Sequence, residues 1–196
     1  MAGQSETRDL ALDCLEQICR EAGLDGVSMR AVARRLGISL AALQYHFPTK
    51  AALLGAFVNR LLAGHEARLA EVLDEAPDED RLGVAVRFVL EVSLKEAEGG
   101  LLSMIEARAH HDATAAAVVS AFRARYLRAL GDIIAGLYPG MDARASALAS
   151  VLVASLVDGA SDYAGAVDHL GLDREALSRG VVESARLAVE AIAHPR

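Results

Sequence analysis

Five cations, Arg30, Arg34, Arg35, Lys50 and Arg60, lie between Gly26 and His65, and that window contains no Asp or Glu. The formal net charge of the chain is −7, so this is the segment where a polyanion would meet attraction instead of repulsion. The chemistry on offer is neutralisation of phosphate by arginine and lysine. Charge alone suits a solvated basic face equally well; the spacing of the apolar residues among the cations narrows the reading. Met29, Val32, Ala33 and Leu36 recur at helical spacing and share one face, with Ser28 placed as an N-cap and Gly37 as a left-handed stop. Ile38 fills the corner and Ser39 caps a second helix, Leu40 to Phe47, in which Leu43 and Phe47 turn back toward the first. Two short helices joined by a tight turn of about three or four residues form a helix-turn-helix, whose second member enters the major groove of a duplex.

Other chemistries find less support. His110, His111 and Asp112 are consecutive, but neighbouring helical side chains diverge by about 100° and do not close on one ion. Asp158 and Asp162 are four apart and could pair, with polar contact as their simpler role. No HExxH, CxxC, Walker or dinucleotide glycine pattern occurs, so the reading is of a protein that is not an enzyme and uses no metal or cofactor. Cys14 and Cys19, five apart on one helix, would point about 140° from each other and are expected to be buried and free. Two cysteines, no leader and no uninterrupted apolar run of about 18 residues imply a cytoplasmic chain with no membrane partner. The nearest run, from Ala143 to Val157, is broken by Ser146, Ser150 and Ser155.

The elements that must position the basic module are all helical, about nine of them, with no period-two stretch. Glu6 to Ala22 is expected as the first, burying Leu10, Cys14, Leu15 and Ile18 and bracing the two reading helices. Pro48 parts helices three and four. From about 49 to 74 runs a long amphipathic helix, nearly 40 Å at about 1.5 Å per residue, in which His65 interrupts an apolar stripe as a core histidine. Asp74 to Asp80 is an acidic linker, Arg81 to Glu96 the fifth helix, Gly99 and Gly100 a break, and Leu101 to His111 the sixth. Asp112, Asp142 and Asp173 are placed to cap helices running to Tyr138, to Val167 and to His194. This gives a three-helix DNA-binding domain over residues 1–50 and a helical ligand-binding and dimerisation domain over 51–196, linked by helix four.

The run GISLAALQYHFPTKAALL, residues 37–54, resembles the helix-turn-helix and helix-four junction of the tetracycline-repressor (TetR) family of bacterial regulators. The features that carry the resemblance are Gly37, Leu43, the aromatic-His-aromatic run Tyr45-His46-Phe47, and Lys50 at the start of the next helix. By position, the resemblance implies that Arg30 reads a base, bidentate to guanine, and that Gln44 is a second reader able to pair with adenine. It implies that Ser28, Ser39, Tyr45, His46, Thr49 and Lys50 fix the register on phosphates. Leu40, Ala41 and Ala42 depart from the polar residues that many relatives carry after the helix-three cap. They offer close approach and thymine-methyl contact, so part of the specificity would come from duplex shape.

Helix eight, about 143–167, has Ala, Ser and Gly on nearly every side, and helix nine, about 174–194, is also broadly apolar. Helices without a polar face must be covered all round, which points to a homodimer made through helices eight and nine, the arrangement that the family also implies. Two readers on a two-fold axis would select a palindromic operator on double-stranded DNA. A pocket for a small-molecule effector is expected among Phe57, Leu61, His65, Phe88, Val92, Met104, Arg108, Phe122, Tyr126 and Tyr163, with Arg108 either meeting an anionic or carbonyl group or held in an ion pair with Glu106 or Asp112. The expected function is a dimeric, ligand-responsive repressor; the rival is a helical carrier or enzyme built on the C-terminal cavity.

Overall fold

A computed structural model of the chain describes residues 2–77, 80–97, 100–171 and 173–194. Among the described residues there are nine α-helices and no strand: α1 (Ala2–Ala22), α2 (Met29–Leu36), α3 (Leu40–His46), α4 (Lys50–Asp74), α5 (Arg81–Ala97), α6 (Leu101–Ala109), α7 (Ala113–Leu137), α8 (Ala143–Val167) and α9 (Arg174–Ala193). The chain is all-α, as its periodicity requires. Local chemistry sets most of the boundaries. The Asp112 carboxylate accepts from the backbone N–H of Thr114 at 2.8 Å and of Ala115 at 3.1 Å, Asp142 accepts from Ala145 at 2.8 Å, and Asp173 accepts from Ala176, so the three aspartates cap the helices that follow them. Asp78, Glu79 and Gly99, expected in the linker and the break, lie outside the described residues; Gly100 is the N-cap of α6.

Some expectations need correction. α1 begins at Ala2, four residues before Glu6, and Leu10 is exposed; Ala11 and Leu12 are buried in its place beside Cys14, Leu15, Ile18 and Cys19. A 3₁₀ turn, Leu24–Gly26, intervenes before α2, and another, Asp168–Leu170, follows α8. Measured by its average composition instead of by uninterrupted runs, α8 is long and apolar enough to cross a membrane. One of its faces is nevertheless a protein core: Ser146, Ala149, Ser150, Val153, Ala154, Val157, Ala164 and Val167 are buried, and α8 packs on α5 and α9.

The chain packs as two compact units, one of residues 1–63 and 99–122, the other of residues 64–98 and 123–196. The first unit is built round Leu15, Val32, Leu43, Phe47, Leu53 and Leu54, joined by Leu102, Ile105, Val118 and Val119 from α6 and the start of α7. Both cysteines are buried and free, and burial pushes each thiol up from its ordinary pKa, which keeps them protonated and inert. The core of the second unit contains Val86, Leu90, Ile134, Val153, Val157, Val182, Ala185 and Val189 from α5, α7, α8 and α9. A smaller cluster of Leu69, Leu73, Ala85 and Phe88 packs the end of α4 on α5. The fork of Arg125 grips Glu66, with Nε donating to Oε1 at 3.0 Å and Nη2 to Oε2 at 2.5 Å.

Candidate nucleic-acid interface

The reading module is assembled by its own capping groups. Ser28 Oγ accepts from the Ala31 N–H at 3.1 Å and starts α2. Gly37, at φ 69° and ψ 25°, ends it; its N–H reaches the Arg34 carbonyl at 3.2 Å and the Ile38 N–H reaches the Ala33 carbonyl at 3.0 Å, the paired closure of a glycine-terminated helix. Ser39 Oγ accepts from Ala42 at 3.1 Å and Thr49 Oγ1 from Ala52 at 3.1 Å, starting α3 and α4. In all three caps the hydroxyl oxygen accepts, so the hydroxyl hydrogen is left to donate outward, the polarity a phosphate requires.

Of α3, the side chains of Leu43 and of the following Phe47 are buried, while Ala41, Ala42, Gln44 and Tyr45 are exposed and Leu40 and His46 half-buried. Tyr45 is 74% exposed and its ring meets that of His46 edge-on, with centroids 5.4 Å apart. The residues assigned to reading and register are therefore on the open side of a short helix whose inner side is core. Arg30 and Arg34 are exposed, Lys50 is half-buried, and none of the three has an ion pair among the described residues.

The other two cations of the window behave differently. Arg35 forks onto Glu21, at 2.6 and 2.7 Å, and also reaches Gln17 at 3.4 Å. The hydrogen bonds from Arg35 hold the Glu21 carboxyl below its ordinary value. Arg60 donates to the Asp13 carboxylate at 2.7 Å and to the Asp9 carbonyl at 3.3 Å. The window is free of acids along the sequence but not in space, because α1 brings its own carboxylates against two of the five cations. A contributor that the sequence did not reveal comes from the same helix: Arg8 Nη1 donates to the carbonyl of His46 at 3.0 Å, and its guanidinium lies 4.7 Å from the centre of the Phe47 ring.

The residues assigned to an effector are dispersed in character. Phe57 belongs to the core of the first unit, with Leu61, Met104 and Phe122 packed against it. Arg108 is exposed and bonds Asp25 at 2.8 Å, with Asp112 at 3.8 Å, so of its two sequence readings the structure shows the ion pair, made to the 3₁₀ turn and to Asp112 and not to Glu106. In the second unit Phe88 is buried with Val92 packed beside it, and Tyr126 packs against the larger core. Burial, reinforced by the nearby charge of Asp158, pushes the Tyr126 phenol up, so it stays protonated. Burial and the Arg68 charge lower the pKa of half-buried His65. Tyr163 is 74% exposed. No group of three or more His, Cys, Asp or Glu side chains placed to hold a metal is present among the described residues.

Comparison with known proteins agrees with this geometry. Residues 12–57 match the family described as "Bacterial regulatory proteins, tetR family". The chain is 36% identical over 58 residues to the class D tetracycline repressor protein of Escherichia coli and, to the same extent, to the class H protein of Photobacterium damsela subsp. piscicida. Those matches cover 30% of this chain and 27% of each repressor, so the chain spans about a quarter of the length of the curated relatives it matches. Over most of its length it shares the fold of three solved structures. A TetR-family regulator from Syntrophomonas wolfei aligns with a TM-score of 0.71 at 17% identity, over 94% of this chain and 96% of that one. A transcriptional regulator from Rhodococcus sp. Rha1 gives 0.65 at 23% over 94% and 96%, and a TetR-family regulator from Streptomyces coelicolor 0.66 at 21% over 95% and 99%. The capped helix-turn-helix thus lies inside the segment, residues 12–57, that matches the tetR family of bacterial regulatory proteins, and the chain around it has the fold of these regulators.

Proposed function

We propose that the protein is a cytoplasmic, non-enzymatic transcription regulator that binds a palindromic operator as a homodimer and is released from it by a small molecule. The observation that carries this is the pose of α3, with Leu43 and Phe47 buried and Gln44, Tyr45 and the small residues Ala41 and Ala42 outward, beside Arg30, Arg34 and Lys50 without ion pairs among the described residues. Residues 1–50 hold the reading surface, with Arg30 and Gln44 on base edges and Ser28, Ser39, Tyr45, His46, Thr49 and Lys50 on phosphates. Residues 51–196 carry dimerisation, through α8 and α9, and effector binding, for which Phe88, Val92, Tyr126 and His65 are the residues offered by the second unit. Coupling of about 1–3 kcal/mol between effector and operator would lower operator affinity by about 5- to 150-fold.

The test is a salt-dependent gel shift against duplex DNA from around the protein's own gene. Arg30→Ala should relax discrimination at one base pair, whereas Lys50→Ala should weaken all sequences alike and lower the salt slope by about one unit. Failure to bind any duplex at low ionic strength would overturn the reading. A thermal-shift screen of small apolar acids addresses the effector.

A further inference from the structure

We infer that Arg8 is a positioning residue for the reading helix: it holds the carboxyl end of α3 and thereby sets the angle at which Gln44 and Tyr45 meet a duplex. The inference rests on the DNA-reading role proposed above and extends it to a residue outside the helix-turn-helix. α3 has seven residues, Leu40–His46, a length at which a helix is not stable alone and takes its pose from what it touches. Its first turn is held by Ser39, and its inner side by Leu43 and Phe47. At its far end no left-handed glycine closes the last carbonyls; Phe47 is extended, at φ −137° and ψ 92°, and Pro48 follows.

Arg8 occupies this end. Nη1 donates to the carbonyl of His46, the last residue of α3, at 3.0 Å, and the guanidinium lies over Phe47, whose side chain is 1% exposed. One side chain thus supplies a charge-assisted hydrogen bond to a terminal carbonyl, a cation at the negative end of the helix dipole, and a stacked plane on the aromatic anchor. Its neighbours one turn further along α1, Ala11 and Leu12, are apolar. Arg8 itself is exposed, so its loss opens no cavity in the core.

Two measurements on the full-length chain test this. In DNA-free protein, hydrogen exchange at the Gln44 to Phe47 amides should rise about fivefold to tenfold in Arg8→Gln, with the Val32 amide of α2 unchanged. With a duplex selected from a random-sequence pool by the unaltered protein, Arg8→Gln should lose about tenfold in affinity for that duplex and much less for scrambled duplexes, at an unchanged salt slope. Arg8→Lys keeps the charge but not the planar fork, and should recover only part of what Arg8→Gln loses in both measurements. Full rescue by lysine would overturn the inference in favour of charge alone. A uniform loss on all duplexes, with the salt slope lower by about one unit and exchange unaltered, would overturn it in favour of a simple phosphate contact. If the unaltered protein selects no duplex, the DNA-reading role fails while exchange still decides whether Arg8 holds α3.

Discussion

Gly37 sits at φ 69° with open space where a Cβ would project, so what a side chain would cost there is backbone strain and not collision. Gly37→Ala should therefore destabilise the first unit by about 1–2 kcal/mol, seen as a lower urea midpoint at an unchanged m-value. His65 gives a prediction of a different kind. Burial and Arg68 favour its neutral ring in the folded chain. As the pH falls the unfolded chain takes up the proton first, so the stability linked to this residue is complete above roughly pH 6.5 and is lost on acidification through the folded pKa. His65→Gln should flatten that part of the stability profile in denaturant titrations between pH 7 and pH 5. Ser28, Gly37 and Ser39 were legible in the sequence because a cap or a stop is local chemistry. The pairings of Arg35 with Glu21, Arg60 with Asp13 and Arg108 with Asp25 were not, because each depends on where another element comes to rest.

At the level of the helix, two glycines in helical interiors answer to opposite rules. Gly64 in α4 has nothing within 4 Å of the position of a Cβ, so Gly64→Ala should raise stability by about 0.5–1 kcal/mol through helix propensity, as a higher melting temperature. Gly83 in α5 lies beneath the ion pair of Asp80 and Arg186, and a Cβ there would fall 2.5 Å from Arg186 Nη2 and closer still to the Asp80 carboxylate. Gly83→Ala should lower the melting temperature, with the loss largely relieved when Arg186 is also replaced by Ala, a coupling that a double-mutant cycle reads directly. The sequence carries no sign of this difference, since the residues that crowd Gly83 include one more than a hundred positions away. It did carry the limits of α8, and those of α2 and α3 to within a residue, because apolar period and capping residue agree there.

For the whole molecule, the exposed side of α8 is the feature that composition anticipated and that a single chain leaves uncovered. Leu148, Val151 and Leu152 are 51%, 45% and 39% exposed, and Leu187 on α9 is 67% exposed. If these faces meet a second copy, sedimentation at micromolar concentration should give a dimer, and Leu148→Glu combined with Leu187→Glu should give a folded monomer with weakened operator binding. A stable monomer from the unaltered chain would end that reading. The discontinuous make-up of the first unit has a practical meaning for anyone who builds hybrid regulators. Leu102, Ile105, Val118 and Val119 complete the core beneath the reading helices although they lie well beyond residue 63. A transplant of the amino-terminal segment onto a foreign sensor would leave that core open unless the host supplied matching side chains or the stretch from 99 to 122 travelled with it.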